Sequence, residues 1–153
     1  MPPSKAHFPP TSRKDIYPTV CELTGATVPS GLDAKSLAPV IAGKAPQVRD
    51  LCYTAYRACQ RAVRNQQWKL IRYPLVDQTQ LFDLQNDPHE LTNLAGKPEH
   101  ATKVAEMTAL LEMEMARYAD TAPLKVANPQ PAEWSPPSPG SRLGRKAKTK
   151  ANK

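Results

Sequence analysis

Two hydrophobic periods divide the middle of the chain into elements of different type. In the stretch IYPTVCELT, the apolar residues Ile16, Val20 and Leu23 recur at intervals of four and three positions. This spacing places them on one face of a short helix over residues 16–24. Because an apolar helical face is stable only when it is covered, the pattern predicts that this face packs against another part of a protein.

Short polar residues mark the ends of this helix and of a second, shorter turn. Asp15 can accept a hydrogen bond from an early backbone N–H, and Gly25 can take the left-handed conformation that commonly closes a helix. In the connection VPSGLDAKSLAPVIAG, Ser36 is predicted to cap a single turn. The apolar residues of that turn are Leu37, Val40 and Ile41.

From residue 51 the pattern changes to short aromatic and β-branched runs that are separated by polar breaks. LCYTAY, RAVR, WKLIRY and QLFDL each have the composition of a strand. The three residues Asn65, Gln66 and Gln67 between RAVR and WKLIRY have the length of a hairpin loop. We therefore predict an antiparallel sheet of three to four strands, which needs a cover on its apolar face.

The stretch KPEHATKVAEMTALLEMEMARYAD supplies that cover as a long helix with Pro98 near its start. One stripe of this helix is formed by Val104, Met107, Leu111 and Tyr118. We interpret the methionines, including Met113 and Met115, as core residues, because methionine more often fills gaps in a core than forms a partner surface. The predicted fold class is α+β, a small antiparallel sheet covered by a C-terminal helix.

Composition divides the chain into three regions. Residues 1–14 form a Pro-rich end and residues 121–153 a Pro-rich and then basic tail, and both are predicted to be disordered. The net charge of +7 is concentrated in the last twelve residues, RLGRKAKTKANK, which contain six Lys or Arg and no acid. This tail has no aromatic residue for base stacking, so we favour a solvated tail over a nucleic-acid-binding one.

Targeting segments and cysteine chemistry give no positive signal. No stretch approaches the roughly 20 apolar residues that span a bilayer, and the start of the chain lacks the apolar region of a secretory signal. We therefore expect no membrane partner, and the chain indicates no compartment. The cysteines Cys21, Cys52 and Cys59 are odd in number and lack CxxC spacing, so we predict free thiols rather than disulfides or a zinc site.

The stretch LFDLQNDPHELTNLAG, residues 81–96, concentrates residue types that catalysis or metal binding could use. The spacing of Asp87, Pro88 and Glu90 is that of a helix start, with a capping Asp, Pro at the first position and Glu reaching back to the cap. His89 then occupies an exposed position. No second cluster of His, Asp or Glu converges with this one, so we interpret the stretch as scaffold.

Three stretches resemble the sulfatase family, the formylglycine-dependent sulfuric ester hydrolases. QLFDLQNDPHELTNLAG is similar to the family's ELYDLxxDPxExxNLA, and RAVRNQQWKLIRYP is similar to RxxRxxxYKLI. DIYPTVCELTGATVPSGLDAKSLAPVIAG resembles DxxPTxxxLAGxxxPxxxDGxSLxPxLxG, with Ala34 where the family has glycine. The three matches occur in family order over residues 15–118, the C-terminal region of such enzymes.

The resemblance implies where the chemistry of a complete sulfatase resides. The family nucleophile lies in a Cys-x-Pro-Ser-Arg or Ser-x-Pro-Ser-Arg motif that precedes the matched region, as do the calcium ligands, and no cysteine of this chain is followed by x-Pro-Ser-Arg. Calcium and formylglycine would therefore belong to that preceding part, together with the contact to the sulfate ester. The first helix and the loop after it would belong to the main alkaline-phosphatase-like domain. Complete family members are often exported or periplasmic.

Two function classes follow from these observations. The first is a C-terminal fragment of a sulfatase that is inactive alone, either a truncated gene product or one piece of a split or mis-started reading frame. The alternative is a free-standing α+β binding module that contacts a protein or a polyanion. A weaker third hypothesis assigns the function to the basic tail, which would bind nucleic acid through phosphates.

One segment is a possible contributor to a substrate site. The resemblance implies that YTAYRACQRAVR can reach the rim of the sulfate pocket, with Tyr56, Arg57 and Arg61 as rim residues. A guanidinium offers a planar set of donors for sulfate oxygens, and a tyrosine ring can stack on a sugar or aryl ring. The competing interpretation is that these arginines are ordinary solvated charges at a strand edge.

Overall fold

A four-stranded antiparallel sheet in the order β1-β2-β3-β4 lies at the centre of residues 9–133, the part of the chain that the computed structural model describes. The strands are β1 (Cys52–Tyr56), β2 (Gln60–Arg64), β3 (Trp68–Tyr73) and β4 (Gln78–Asp83). The helices are α1 (Ile16–Thr24), α2 (Ala38–Ile41) and α3 (Ala101–Arg117), with single 3-10 turns at Arg13–Asp15, Pro74–Val76 and Pro98–His100. The predicted sheet and C-terminal helix are thus confirmed.

Side-chain alternation along the strands produces one face for α3 to cover. The register aligns Val63 with Leu70 and Leu70 with Leu81, so these side chains lie side by side on one face of the sheet. All three are at most 1% exposed, as are Met107 and Leu111 of α3. These side chains of the sheet and of α3 therefore form one hydrophobic core. We call the other side of the sheet, which points away from α3, the outer face.

The helix stripe differs in one respect from the predicted one. Met115 is only 6% exposed and belongs to the core, whereas Tyr118 lies just past the helix end and is 38% exposed. Met113 is 51% exposed, so the prediction that the methionines are core residues is confirmed for Met107 and Met115 and wrong for Met113.

The first helix has the predicted bounds, and Gly25 follows it with a φ of 75°. Its apolar face is open: Ile16, Val20 and Leu23 are 52% to 64% exposed. The partner that this face was predicted to need is therefore absent from residues 9–133. Within the same range, no helix is long and apolar enough to cross a membrane.

Asp15 has a different role from the predicted helix cap. Its carboxylate makes no capping bond to α1. It is fully buried, accepts hydrogen bonds from the backbone N–H groups of Ser12 (2.8 Å) and Lys35 (2.9 Å), and forms an ion pair with Arg49. Asp15 therefore ties the first helix to the segment that leads into β1.

The turn after α1 starts one residue later than a Ser36 cap predicts. Ser36 Oγ accepts a hydrogen bond from the backbone N–H of Ala38 (3.1 Å), and Leu37 occupies the N-cap position of α2. The segment is also fixed to α1, because the backbone N–H of Leu37 donates to Thr19 Oγ1 at 2.8 Å.

Packing extends beyond residues 15–120 at both ends. Pro10 is fully buried, and the Cys52 thiol donates to the backbone oxygen of Thr11 at 3.3 Å. On the other side, Leu124 packs against the core, and its backbone oxygen accepts a hydrogen bond from Arg72 Nε at 2.8 Å. The disorder predicted for residues 1–8 and 134–153 concerns positions outside the described residues.

We expect Met107→Ala to lower the free energy of unfolding by about 2 to 5 kcal/mol, because it opens a cavity between α3 and the sheet. Met113→Ala is the matched control, since it makes the same change on the exposed side of the same helix and should stay within about 0.5 kcal/mol of the parent chain. Urea denaturation followed by circular dichroism measures both. Equal effects of the two substitutions would contradict the packing of α3 described above.

Candidate functional site

The acidic stretch after β4 forms a turn, so the predicted helix start at Asp87 is wrong. Glu90 has a φ of +55° and therefore leaves the helical conformation, and the next helical turn begins only at Pro98. The Asp87 carboxylate accepts a hydrogen bond from the backbone N–H of Thr92 at 2.8 Å. The backbone N–H groups of Leu91 and Thr92 lower the pKa of this carboxyl. Asp87 thus closes a loop, not a helix.

The remaining acids of the stretch also serve the backbone or a neighbouring strand. Asp83 accepts hydrogen bonds from the backbone N–H of Gln85 (3.1 Å) and from Asn86 Nδ2 (2.7 Å), and Glu90 forms an ion pair with Lys69 of β3. Asp87 and Glu90 do not form the predicted capping box. Each carboxylate of the stretch has a partner in the backbone or in a neighbouring strand instead. Among residues 9–133, no group of three or more His, Cys, Asp or Glu could hold a metal ion. The described residues do not fit the calcium site of a sulfatase.

Hydrogen bonds of Asn93 and Leu94 hold the end of this loop against β4. The backbone N–H of Leu81 donates to Asn93 Oδ1 (3.0 Å), and Asn93 Nδ2 donates to the backbone oxygen of Thr79 (3.2 Å). The backbone N–H of Leu94 donates to the oxygen of Leu81 at 2.8 Å. The asparagine side chain and the following residue thus pair with the outer edge of β4, which would otherwise be open to association with other strands.

The end of the β1–β2 hairpin brings two of the three predicted rim residues together at the surface. Tyr56 is 60% exposed, and the Arg57 guanidinium lies 5.7 Å from the centre of its ring. Arg57 has a φ of +47°, which the tight turn between the strands requires. Both side chains project from the same end of the sheet and are accessible to a ligand.

Arg61, the third predicted rim residue, is held by the protein itself. It is 6% exposed, its Nε lies 2.7 Å from Asp120 Oδ2, and its terminal nitrogen donates to the backbone oxygens of Arg57 and Gln60. Arg61 is therefore placed to fix the conformation of the turn that presents Arg57.

A tyrosine adds a hydrogen bond to this partly buried ion pair. The hydroxyl of Tyr53 donates to Asp120 Oδ2, and together with the Ala122 backbone N–H and Arg61 it lowers the pKa of Asp120 to about 2. Burial and the bond to Asp120 raise the pKa of Tyr53 well above its usual range. Asp120 thus remains charged, and Tyr53 protonated, across the physiological range.

A second polar cluster joins the segments before and after α1 to the end of α3. Asp33 accepts a hydrogen bond from the Tyr118 hydroxyl at 2.7 Å and forms an ion pair with Lys14. The Lys14 ammonium lies 5.1 Å from the centre of the Tyr118 ring, which stacks on Tyr53 at 5.5 Å. The clusters around Asp120 and Asp33 could not be predicted from sequence spacing, because their members lie up to 104 residues apart.

Two open polar grooves adjoin each other at Gln47 and Asp50. The first, of about 340 Å³, is also lined by Arg49 and Glu114, and the second, of about 380 Å³, by Trp68. Neither groove includes a predicted rim residue.

These features, a four-stranded antiparallel sheet under one helix with an acidic loop returning to the last strand, are those of a sulfatase C-terminal domain. The family model described as N-sulphoglucosamine sulphohydrolase, C-terminal, matches residues 10–117. The chain belongs to this family, as the sequence resemblance predicts.

Two curated relatives are sulfatases that are much longer than this chain. It is 36% identical to the choline-sulfatase of Rhizobium meliloti over 118 residues, which cover 73% of this chain and 23% of that protein. It is 35% identical to an N-acetylglucosamine-6-O-sulfatase of Bacteroides thetaiotaomicron over 121 residues, covering 71% of this chain and 22% of that protein. The chain thus spans about a quarter of the length of these relatives.

Solved structures show the same arrangement. An enzyme in complex with its substrate D-glucosamine-2-N,6-O-disulfate superposes with a TM-score of 0.57 and 30% identity, over 72% of this chain and 25% of that one. A 2-O GAG sulfatase superposes with a TM-score of 0.58 and 31% identity, over 69% of this chain and 25% of that one. The structural similarity therefore covers the same part of the chain as the sequence similarity.

We expect Asn93→Ala to lower the free energy of unfolding by about 1 to 3 kcal/mol, because it leaves the N–H of the buried Leu81 without its acceptor. Gln85→Ala, an exposed amide in the same loop, is the control and should have an effect within about 0.5 kcal/mol. Thermal and urea unfolding measure the difference. Wild-type stability in the Asn93 variant would show that the edge of β4 does not depend on this side chain.

Proposed function

We propose that this chain acts as the C-terminal part of a sulfuric ester hydrolase and has no catalytic activity of its own. The observation that carries the proposal is the match of residues 10–117 to a C-terminal family model, in a chain that has no Cys-x-Pro-Ser-Arg or Ser-x-Pro-Ser-Arg motif. The nucleophile and the metal ligands would be supplied by a preceding part of the enzyme. A sulfate ester is bound only in that complete context.

The open face of α1 supports the same proposal. Ile16, Val20 and Leu23 are the three apolar residues of one helical face, and each is more than half exposed. A module that functions on its own would gain stability by covering this face, at roughly 25 cal/mol for each Å² of apolar surface buried. In the proposed enzyme, the preceding part of the polypeptide covers it. The free-standing binding module is therefore the less favoured alternative.

In that complete enzyme, Tyr56 and Arg57 would contribute to the rim of the substrate site. Their exposure and their contact with each other support this role. Arg61 would act behind them by fixing the turn through Asp120 and the backbone oxygen of Arg57. The guanidinium of Arg57 would attract the negative charge of the ester without taking part in bond cleavage.

We expect the purified chain to show no turnover of a chromogenic aryl sulfate, even with calcium and after treatment with a formylglycine-generating enzyme, because it lacks the reacting groups. The choline-sulfatase of Rhizobium meliloti, treated identically and given choline sulfate, serves as the positive control for the maturation step. Release of sulfate by this chain above a heat-treated sample, at a rate proportional to its concentration, would refute the proposal.

In a complete sulfatase that carries this segment, we expect Arg57→Ala to raise KM about tenfold while kcat stays within twofold, since only uniform binding is removed. The exposed Arg13→Ala is the matched control and should change neither constant. Steady-state kinetics at two salt concentrations measure both. An unaltered KM in the Arg57 variant would leave this residue as a surface charge of the hairpin.

A further inference from the structure

The chain turns sharply after α3, and it does so without a glycine. Ala119 has a φ of +52°, the left-handed conformation that closes many helices but that disfavours a side chain. The backbone N–H of Asp120 donates to the oxygen of Met115 at 2.8 Å, and that of Ala119 donates to the oxygen of Ala116 at 3.1 Å. A strained residue of this kind persists where its surroundings hold it in place. Those contacts come from Tyr118 and Asp120, the residues on either side.

Asp120 connects the end of α3 to the β1–β2 hairpin. Its carboxylate accepts a hydrogen bond from the Tyr53 hydroxyl and lies 2.7 Å from Arg61 Nε. Arg61 in turn donates to the backbone oxygens of Arg57 and Gln60, the latter at 2.9 Å. Because the side chains of Arg61 and Asp120 are only 7% and 17% exposed, water competes little for these bonds. A single side chain thus separates Asp120 from the backbone that presents Arg57.

Tyr118 connects the end of α3 to the segments around α1. Its hydroxyl donates to Asp33 Oδ2 at 2.7 Å, and Lys14, which forms an ion pair with Asp33, lies 5.1 Å from the centre of its ring. Lys14 belongs to the turn before α1, and Asp33 to the connection after it. The Tyr118 ring also stacks on Tyr53, with the ring centres 5.5 Å apart and an angle of 16° between the planes. The two sets of contacts therefore meet at these stacked rings.

The stacked tyrosines, and not the ion pair, form the rigid part of this connection. Lys14 and Asp33 are 38% and 45% exposed, and an ion pair between exposed side chains contributes little to stability. Two stacked rings have a preferred geometry, so that a displacement of one ring displaces the other. Tyr53 is itself fixed, because it lies in β1 and packs against the core under α3.

We infer that Tyr118 and Asp120 are positioning residues that couple the segments flanking α1 to the hairpin turn that presents Arg57. The family model matches residues 10–117, so both residues lie just beyond the matched part. In the complete enzyme, covering the open face of α1 would fix Lys14 and Asp33, and the stacked tyrosines would transmit this order to the backbone of Arg57. The use of Arg57 at the substrate rim rests on the proposed function, whereas the coupling is a property of this chain.

The test is amide hydrogen exchange of the isotope-labelled full chain, measured by NMR. The reporter is the backbone N–H of Cys59, which donates to the oxygen of Tyr56 at 3.1 Å within the turn. We expect its exchange to become about tenfold faster in Tyr118→Ala and in Asp120→Ala, because local opening of the turn exposes this amide. The amide of the buried Leu70 should change by less than about twofold in the same variants, because the core stays closed.

A second set of variants tests the connection to α1. Tyr118→Phe keeps the stacked ring and removes only the bond to Asp33, and Asp33→Ala removes the same bond from the other side. We expect each to accelerate exchange of the Cys59 amide about threefold, and the double variant to be no faster than Asp33→Ala, because both changes break one interaction. Tyr17→Ala is the matched control and should leave exchange unchanged, because Tyr17 is an exposed tyrosine (55%) of α1 itself.

Three results would overturn the inference. Unchanged exchange at Cys59 in Tyr118→Ala or in Asp120→Ala would show that the turn is held without these residues. Unchanged exchange at Cys59 in both Tyr118→Phe and Asp33→Ala would show that the segments around α1 are not coupled to the hairpin. Equal acceleration at Cys59 and Leu70 would show that the substitutions loosen the whole domain. Because no turnover is measured, these results are independent of the sulfate-release test of the proposed function.

Discussion

The contact between α3 and one face of the sheet is the interaction on which the rest of the structure depends. A four-stranded antiparallel sheet with one apolar face is unstable until that face is covered. Met107, Leu111 and Met115 cover Val63, Leu70 and Leu81, and each fully buried side chain contributes roughly 1.5 to 3 kcal/mol. The outer face carries a smaller buried apolar cluster of Ala62, Ile71 and Phe82.

Two ion pairs that are largely shielded from solvent position the segments around this core. Asp15 with Arg49 positions the segment before β1, and Arg61 with Asp120 joins the hairpin to the chain after α3. Removing Arg49 would leave the fully buried Asp15 carboxylate without its cation, which costs about 3 to 5 kcal/mol, although the intact pair adds little net stability. These pairs therefore determine where the peripheral segments lie more than how stable the domain is.

The polar side chains of residues 81–96 accept hydrogen bonds from backbone N–H groups, although their residue types are also those of catalytic and metal sites. Asp83, Asp87 and Asn93 satisfy N–H groups of a loop that returns to β4 and closes its edge. Backbone N–H groups of this loop favour the charged form of the Asp87 carboxyl and so lower its pKa. The same residue types become a metal site only when they converge, and here they are spread along one loop.

Local pattern determined the elements of this protein: the bounds of α1, the four strands and the presence of α3 follow from periods of 3.6 and 2 residues that act over a few positions. It did not determine the turn at Asp87, because capping and loop-closing aspartates have the same sequence neighbours and differ only in what the chain contacts next. Nor did it show that Arg61 is held by Asp120 while the Arg57 side chain is exposed, since that distinction arises from a contact 59 residues away. Only the tertiary structure decided which polar side chains are bound by other residues of the protein and which face solvent. The reason is that their hydrogen-bond partners are distant in the sequence and come together only in the fold.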